Sequence, residues 1–282
     1  MENDTAYGIQ TEPGYKERGY YWKTAIGLQQ VDGLTPSEYL LDTAKANIEG
    51  EISLGEADKR ITDYYAHKPV TTADEKRTEE ADKVSLRITE LLAEKTFTLS
   101  PVEITSIHRR LFNGIYDFAG KIRDYNIKKD EWVLGGATVY YASAYNIRET
   151  LDYDFAQEKS FSYAGLDARK TARHIAKFIS GLWQIHAFGE GNTRATAVFT
   201  IKYLRAFGYD VTNDTFEKHS RYFRNALVRA NYTNIQQGVT ETQEYLNRFF
   251  GNLLFGERNE LRNSELKIAN PAQVNADLLL GA

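Results

Sequence analysis

The feature that most constrains the fold is a long amphipathic segment that ends at a glycine-rich break. The segment reads "DARKTARHIAKFISGLWQIHAF" over residues 167–188, and its apolar residues recur at helical spacing through Leu182 to His186. The break "GEGN" follows, and then a second helical segment, "RATAVFTIKYLRAFG", which Gly208 closes. We therefore predict two helices joined by a tight polar loop.

Helical periodicity dominates most of the remaining chain. Helix starts are predicted at Ser37, Ser53 and Ser100, where a capping residue precedes a periodic segment. The exception is "IRDYNIKKDEWVLGGATVYYASAYNI", which is rich in Tyr, Val and Trp and is interrupted by Gly135 and Gly136. Such a pattern is typical of a β-hairpin. The predicted fold class is all-α, with this one hairpin.

Composition excludes several classes of site and partner. The chain has no cysteine, which excludes disulfides, thiol catalysis and cysteine-rich zinc sites. Its 282 residues carry a net charge of -4, so no footprint for nucleic acid or an anionic membrane is expected. The start "MENDTAYG" does not resemble a signal peptide, and no apolar run approaches the roughly 20 residues that span a bilayer. We expect a cytoplasmic protein, although export by a dedicated secretion machine is not excluded.

The loop between the two predicted helices has the composition of an anion site. Unpaired backbone N–H groups and the positive end of the helix dipole converge where a glycine-rich loop opens a helix. Asn192 and Arg194 add side-chain donors, and Glu190 offers a carboxylate that could hold Mg²⁺ against a di- or triphosphate. His186, one turn earlier, can act as a general base. Together these residues predict phosphoryl or nucleotidyl transfer.

The same residues also have a purely structural interpretation. His186 continues an apolar face and could be a core histidine, and Phe188 is a core anchor under either interpretation. Gly189 and Gly191 could form an ordinary helix-ending turn. No third ligand stands at a spacing that would complete a metal site with His186 and Glu190, and there is no P-loop motif. Only the ordered combination favours catalysis.

That combination resembles the signature of the Fic family, H-P-F-x-[D/E]-G-N-G-R-x-x-R, which here reads "HAFGEGNTRATA" over residues 186–197. The resemblance covers roughly residues 100–255. It implies transfer of AMP, or of another phosphate-bearing group, from a nucleotide to a hydroxyl group of a target protein. ATP is the expected donor and Mg²⁺ the expected cofactor.

The resemblance also implies a role for each matching residue. His186 would deprotonate the target hydroxyl, Glu190 would hold the Mg²⁺, and Arg194 would neutralise the leaving pyrophosphate. The residues expected to bind phosphate oxygens are Gly191, Asn192, Thr193 and Arg194. The base pocket would contain Phe223 and Asn231. The hairpin flap, on which a target would dock as an added strand, would present Leu134, Gly135, Gly136 and Val139.

Three positions depart from the signature. Ala187 replaces proline and would alter only the rigidity of the turn. Thr193 replaces the second glycine; it is costly if that position needs a positive φ and acceptable if it lies at the helix start with a negative φ, which we favour. Ala197 stands where the family has a second arginine. Arg194 would then neutralise the outer phosphates alone, the nucleotide would bind in another orientation, or the donor would not be ATP.

The N-terminal region resembles the small antitoxin that accompanies some Fic toxins. The antitoxin's inhibitory motif, [S/T]-x-x-x-E-[G/N], would fall on residues 28–33, with Asp32 in place of the glutamate. A second register, "KANIEG", contains Glu49; we prefer the first because "GLTPS" and "GEIS" follow it in the expected order. We expect this region to pack on the Fic domain and to inhibit weakly or differently, or else to act only as a stabilising cap.

These observations predict four segments and leave two functions open. The segments are an N-terminal antitoxin-like region at 1–70, a linker and helix at 71–99, a Fic domain at 100–256 and a C-terminal tail at 257–282. The leading function is the Mg²⁺-dependent transferase. The alternative is a degenerate Fic fold that binds a nucleotide or a partner protein without turnover. The target protein, its accepting residue and the oligomeric state are not encoded in any pattern.

Overall fold

The computed structural model of the chain describes residues 13–268. Within them the backbone forms ten α-helices: α1 (Tyr15–Leu28), α2 (Glu38–Glu49), α3 (Leu54–His67), α4 (Ala73–Ala93), α5 (Pro101–Phe112), α6 (Ile147–Ser160), α7 (Ala168–Ile185), α8 (Asn192–Ala206), α9 (Thr215–Ala230) and α10 (Glu244–Phe255). The all-α prediction is confirmed. The first residues of the predicted N-terminal region, 1–12, and the last of the predicted tail, 269–282, lie outside the described residues. From residue 13 to 268, no helix is both long and apolar enough to cross a membrane.

Side-chain caps fix where several helices begin. The Ser37 hydroxyl accepts the backbone N–H of Leu40 at 3.1 Å, and the Ser53 hydroxyl accepts that of Glu56 at 3.1 Å. Ser100 caps α5 in the same way. Such a cap stabilises a helix by about 1 kcal/mol. The three predicted helix starts are therefore confirmed.

Helix α8 is the central element of the core. Every side chain from Asn192 to Leu204 is buried, and the helix packs against α4, α5 and α7. A helix buried on all sides must also satisfy its polar side chains. Lys202 does so by donating to the carbonyl oxygens of Leu91 and Glu94, at 3.0 and 3.2 Å. The helix is therefore buried along most of its length without leaving the Lys202 ammonium unpaired.

The N-terminal helix α1 belongs to the same core. Its Ala25 and Leu28 side chains are fully buried in the main cluster, and the helix packs against α4 and α9. Helices α2 and α3 build a smaller cluster around Trp22. Helix α1 leads directly into a 3-10 turn, Gln29–Asp32, which lies beside α8 and α9. The core thus places residues of the N-terminal region next to the start of α8.

The predicted β-hairpin is not formed, and no strand occurs within the part of the chain that the structure describes. Residues 129–141, here named the flap loop, instead contain a 3-10 turn at 132–134. Val133 and Leu134 are neighbours and both are buried. A strand points successive side chains to opposite faces, so it could not bury this pair on one side.

This conformation changes the role of the predicted docking residues. Leu134 and Val139 are 3% and 1% exposed, so they anchor the flap loop in the core instead of presenting it to a target. Gly135 and Gly136 are exposed and have φ values of 63° and 93°, which favour glycine. Of the four predicted docking residues, only the two glycines are therefore exposed, and docking of a target there stays a prediction.

The described part of the predicted tail packs onto this loop. A 3-10 turn forms at Asn263–Leu266, and Leu266 is 1% exposed. The backbone N–H of Ile268 donates to the carbonyl oxygen of Val133 at 2.9 Å. Residues 257–268 therefore belong to the folded core.

Candidate active site

His186 ends α7 in a left-handed backbone conformation that non-glycine residues rarely adopt. It has φ 50° and ψ 58°, and it is the one non-glycine residue with positive φ among residues 13–268. Such conformations cost free energy and occur most often at functional sites. Its Nδ1 lies 3.3 Å from the carbonyl oxygen of Trp183. A carbonyl only accepts, so the proton resides on Nδ1 and Nε2 keeps its lone pair.

The surroundings of His186 keep its ring neutral. The residue is 6% exposed, with Tyr141 stacked on the imidazole at 4.1 Å between ring centroids. Burial, and then the positive charges of Lys129, Arg123 and Arg224, lower the pKa of His186 to about 3. The free protein therefore holds this residue as an unprotonated base.

The side chain of Asn192 closes the loop between α7 and α8. Its Oδ1 accepts the backbone N–H of Phe188 at 2.9 Å, and its Nδ2 donates to the Phe188 carbonyl oxygen at 2.8 Å. Phe188 is buried and stacks on His108 at 3.8 Å. The amide is therefore occupied in holding the loop, and the backbone N–H of Asn192 is the group left for a phosphate.

The first turn of α8 presents unpaired backbone N–H groups, the arrangement expected of an anion site. Gly191 caps the helix at φ 77°, and a Cβ there would lie 2.4 Å from the Phe112 ring. In the described part of the chain, no acceptor pairs with the backbone N–H groups of Asn192, Thr193 or Arg194. Free N–H groups at the positive end of a helix dipole bind phosphate oxygens.

Thr193 fits this turn without strain. It lies inside α8 and has a negative φ; among the non-glycine residues of 13–268, His186 alone has a positive φ. Its hydroxyl accepts the indole N–H of Trp183 at 3.0 Å. The threonine therefore occupies the position of the second signature glycine at no backbone cost and ties α8 to α7.

Glu190 faces a cavity of about 320 Å³ in front of this turn. The cavity is lined by Val31, Asp32, Leu34, Arg77, Glu80, Tyr116, Lys129, Glu190, Arg194 and Arg224. The Glu190 carboxylate lies 3.5 Å from the Lys129 ammonium and accepts the backbone N–H of Gly191 at 3.1 Å. No three His, Asp or Glu residues of the described range cluster as a metal site. A single carboxylate does suit Mg²⁺, which takes its other ligands from phosphates and water.

Arg194 is fully buried between two carboxylates. Its Nη2 lies 2.6 Å from Glu80, and its Nε lies 2.8 Å from Asp32 in a contact not aligned as a hydrogen bond. Gln29 accepts from Nη1 at 3.2 Å, and the guanidinium lies over the Phe112 ring. Burial alone would lower the pKa of Arg194, but the neighbouring acidic groups outweigh it and raise the pKa above its ordinary value.

The two acids predicted as regulatory lie in different places. Asp32 ends the 3-10 turn after α1 and contacts Arg194. Glu49 ends α2, is exposed, and lines a separate cavity with Asp214 and Glu217. The structure thus places Asp32, from the preferred register, against Arg194 and leaves Glu49, from the other register, away from it.

The predicted base-pocket residues do not line the cavity that holds Glu190 and Arg194. Phe223 is fully buried, with its ring 5.1 Å from Phe216 and 5.0 Å from Phe249. Asn231 ends α9 and donates to the carbonyl oxygen of Leu227 and to Ser180. Phe223 thus packs in the core between α9 and α10 and Asn231 lies at the end of α9, and their role in binding a base stays a prediction.

Several site residues were missed by the sequence analysis. Glu80 lies in the charge run of α4, which gives no sign that one carboxylate turns inward. Lys129 and Arg224 belong to no motif. His108 did carry a signal, since it falls four residues from both Ile104 and Phe112 on the apolar face of α5. Its Nδ1 accepts the Gly120 N–H and its Nε2 donates to the Glu190 carbonyl oxygen, each at 2.9 Å.

Comparison with known proteins identifies this fold. Residues 98–204 match the model of the Fic/DOC family. The protein adenylyltransferase VbhT of Bartonella schoenbuchensis is 29% identical over 155 residues, which are 48% of this chain and 31% of VbhT. This chain thus matches less than a third of the length of that relative.

Two solved structures share the fold. The N-terminal FIC domain of Bep8 from Bartonella sp. 1-1C has a TM-score of 0.51 at 18% identity, over 66% of this chain and 87% of that chain. The BepC protein of Bartonella tribocorum, solved with bound AMPPNP, has a TM-score of 0.50 at 17% identity, over 67% of this chain and 90% of that chain. At these identities the likeness concerns the fold alone.

Proposed function

We propose, from the Fic/DOC domain that residues 98–204 form, that this chain transfers AMP from ATP to a hydroxyl group of a target protein. One observation carries the proposal. One short loop, which the Asn192 side chain holds closed, joins the buried, neutral His186 at the end of α7 to the three unpaired N–H groups that open α8. A base and an anion site in fixed relation are what nucleotidyl transfer requires.

In this reaction the target hydroxyl attacks the α-phosphorus of ATP. A bond forms between the hydroxyl oxygen and that phosphorus, the bond to the bridging oxygen breaks, and pyrophosphate leaves. His186 accepts the hydroxyl proton at Nε2. The N–H groups that open α8 hold the phosphate oxygens. Glu190 would hold Mg²⁺, which when bound supplies positive charge against the phosphates.

The pKa of His186 in the free protein is low for a general base working near neutral pH. Burial and the positive charge of Lys129 are its main causes. A bound polyphosphate would bring negative charge close to Lys129 and offset its effect. We therefore propose that the nucleotide itself raises the basicity of His186, so that the base is strongest when the donor is in place.

The N-terminal region is proposed to compete with the nucleotide. Arg194 can neutralise phosphates only by exchanging its contacts with Asp32 and Glu80. Because α1 packs into the main core, Asp32 is held firmly at this position. The region would thus restrain activity through the first arginine of the signature, since Ala197 occupies the place of the second.

Full engagement of Arg194 also favours the second candidate, a fold that binds without turnover. Arg194 is 0% exposed and has protein partners on Nε, Nη1 and Nη2. If the arginine never exchanges these partners, a nucleotide would bind weakly or not at all. The flap loop would then serve a protein partner through the exposed backbone of Gly135 and Gly136.

Two experiments on the full chain separate these functions. Calorimetric titration with ATP, GTP, UTP and CTP, with and without Mg²⁺, identifies the donor. The transferase predicts Mg²⁺-dependent binding of one nucleotide that Glu190→Ala weakens and His186→Ala leaves intact. Incubation with ATP labelled on the α-phosphate should then label protein, and His186→Ala should abolish the label. If the chain binds a nucleotide but no protein in any lysate fraction becomes labelled, the result would instead support the second candidate, a fold that binds without turnover.

A further inference from the structure

The imidazole of His186 is enclosed by two aromatic rings. Tyr141 stacks on it with centroids 4.1 Å apart and planes tilted by 33°, and Trp183 meets it edge-on at 5.3 Å. Trp183 belongs to α7, the helix that His186 ends, whereas Tyr141 belongs to the flap loop. One wall of the imidazole therefore comes from outside the signature and its helix.

Tyr141 is held by a buried charge pair. Its hydroxyl donates to Glu131 Oε1 at 3.2 Å, and Arg224 donates to the same oxygen at 3.0 Å. Arg224 Nη1 lies 2.8 Å from the second oxygen of Glu131. Glu131 is 0% exposed, and a buried carboxylate persists only where it is paired. Burial, and then the charge of Glu131, raise the pKa of Tyr141, so the phenol stays protonated and remains the donor.

The hydrogen bond fixes the direction of the Tyr141 ring as well as its position. The phenol oxygen is tied to Glu131 at one end and the ring lies on His186 at its face, so the ring cannot turn without breaking one contact. Arg224 lies on α9, so its ion pair with Glu131 anchors the Tyr141 hydrogen bond to a helix. An aromatic side chain locked at both ends is suited to hold a neighbouring imidazole in one orientation.

We propose that Tyr141 is a positioning residue for His186, and that Glu131 and Arg224 hold it in that role. It restricts the imidazole to the orientation in which Nδ1 donates to Trp183 and Nε2 faces the reacting hydroxyl. The catalytic consequence rests on the proposed transfer reaction. The geometric claim does not, because the orientation of His186 exists without nucleotide.

The same arrangement couples the flap loop to the base. Lys129 at one end of the loop contacts Glu190, and Tyr141 at the other end contacts His186. Glu131, two residues after Lys129, ties the loop to Arg224, which also lines the cavity. A target that displaces the loop would therefore move the wall of the imidazole, and correct docking would keep it in place.

Nuclear magnetic resonance of the full chain tests the geometric claim without any nucleotide. The chain has five histidines, and the His186 signals are assigned as those lost in His186→Gln. In the wild type, the ring nitrogen shifts should show a single tautomer with the proton on Nδ1, unchanged from about pH 8 to pH 5. Tyr141→Ala should give a mixture of tautomers and bring the pKa of His186 toward that of an exposed histidine, about 6.5. Tyr141→Phe, which keeps the ring, should retain most of the single tautomer.

Tyr163 supplies a matched control. Its hydroxyl also bonds a buried carboxylate, that of Glu158, and its ring also meets a histidine, His174, at 5.3 Å. Tyr163→Ala removes the same kind of residue from a different cluster. It should leave the His186 signals unchanged. Tyr141→Leu, which keeps apolar bulk, replaces Tyr141→Ala if that variant does not fold.

The transfer of label from ATP provides the catalytic arm. Tyr141→Ala should lower kcat about 10- to 100-fold and leave KM for ATP within about twofold, since it disturbs the base and not the phosphate site. Tyr141→Phe should restore most of this loss. His186 signals in Tyr141→Ala that match the wild type in tautomer and titration would overturn the positioning role. Absence of transfer by the wild type would refute the proposed function and leave the resonance experiment to decide the positioning role alone.

Discussion

Replacing Asp32 by asparagine should raise the affinity of the chain for ATP. Asp32 and Glu80 lie against the same guanidinium, at 2.8 and 2.6 Å from Arg194 nitrogens. Two carboxylates around one guanidinium leave Arg194 itself with no net positive charge to offer the nucleotide phosphates, although Lys129 and Arg224 line the same cavity. Asparagine keeps the shape of the Asp32 side chain and removes its negative charge.

The size of the effect follows from Coulomb's law. A phosphate charge about 6 Å from the Asp32 carboxylate, at an effective dielectric constant of about 20, is repelled by about 3 kcal/mol. Solvent reaches Asp32, whose side chain is 19% exposed. Screening should therefore reduce the repulsion to ~1–2 kcal/mol. At about 1.4 kcal/mol for each factor of ten, the affinity should rise ~5- to 30-fold.

Protein stability should respond differently to one and to two substitutions. Asp32→Asn leaves Arg194 paired with Glu80, so the free energy of unfolding should fall by less than about 1.5 kcal/mol. The double variant with Glu80→Gln leaves a fully buried guanidinium without a carboxylate. Removing the partners of a buried charge costs ~3–5 kcal/mol. Bound ATP should recover part of this loss, because a phosphate can replace the missing anions.

Calorimetric titration with ATP and Mg²⁺, with urea unfolding of the same variants, measures both effects. Glu49→Gln is the matched control, since it removes an acid of the alternative register that does not reach the site; neither its affinity nor its stability should change. Equal ATP affinity in the wild type and in Asp32→Asn would refute the argument that Asp32 competes with the nucleotide.

Three further predictions concern the loop and its support. Gly191→Ala should lower the free energy of unfolding by ~2–4 kcal/mol, seen as a lower melting temperature, because it adds a Cβ at φ 77° that meets Phe112 at 2.4 Å. Asn192→Ala leaves both backbone groups of Phe188 unpaired; it should cost ~2–4 kcal/mol in urea unfolding and abolish label transfer. Burial lowers the pKa of His108 to about 4, below the unfolded value, so the unfolded chain binds more protons as pH falls below about 6.5. The wild type should therefore lose about 1.6 kcal/mol of stability through His108 between pH 6.5 and pH 5, a loss that urea unfolding should not find in His108→Gln.

Much of the fold was predictable because its signals are local. Capping serines at positions 37, 53 and 100 start the predicted helices, and the apolar periodicity of residues 167–188 is that of α7. The hairpin prediction failed for a reason that composition does not reveal. Tyr, Val and Trp favour strands, but Val133 and Leu134 are both drawn into the core, and the chain turns to bury them. Tertiary packing overrode local propensity in this loop.

Arg194 illustrates what local patterns cannot specify. Its partners Gln29 and Glu80 lie 165 and 114 residues away in sequence, so no spacing rule links them to the loop. The chemistry is also ambiguous, because the planar donors of arginine suit a carboxylate and a phosphate equally well. Composition therefore indicates that this arginine holds an anion, and only the fold determines which one. Since the fold offers it carboxylates from the N-terminal region and from α4, a nucleotide that binds Arg194 as proposed would have to displace them. On that proposal, the site and the N-terminal region are coupled through one side chain.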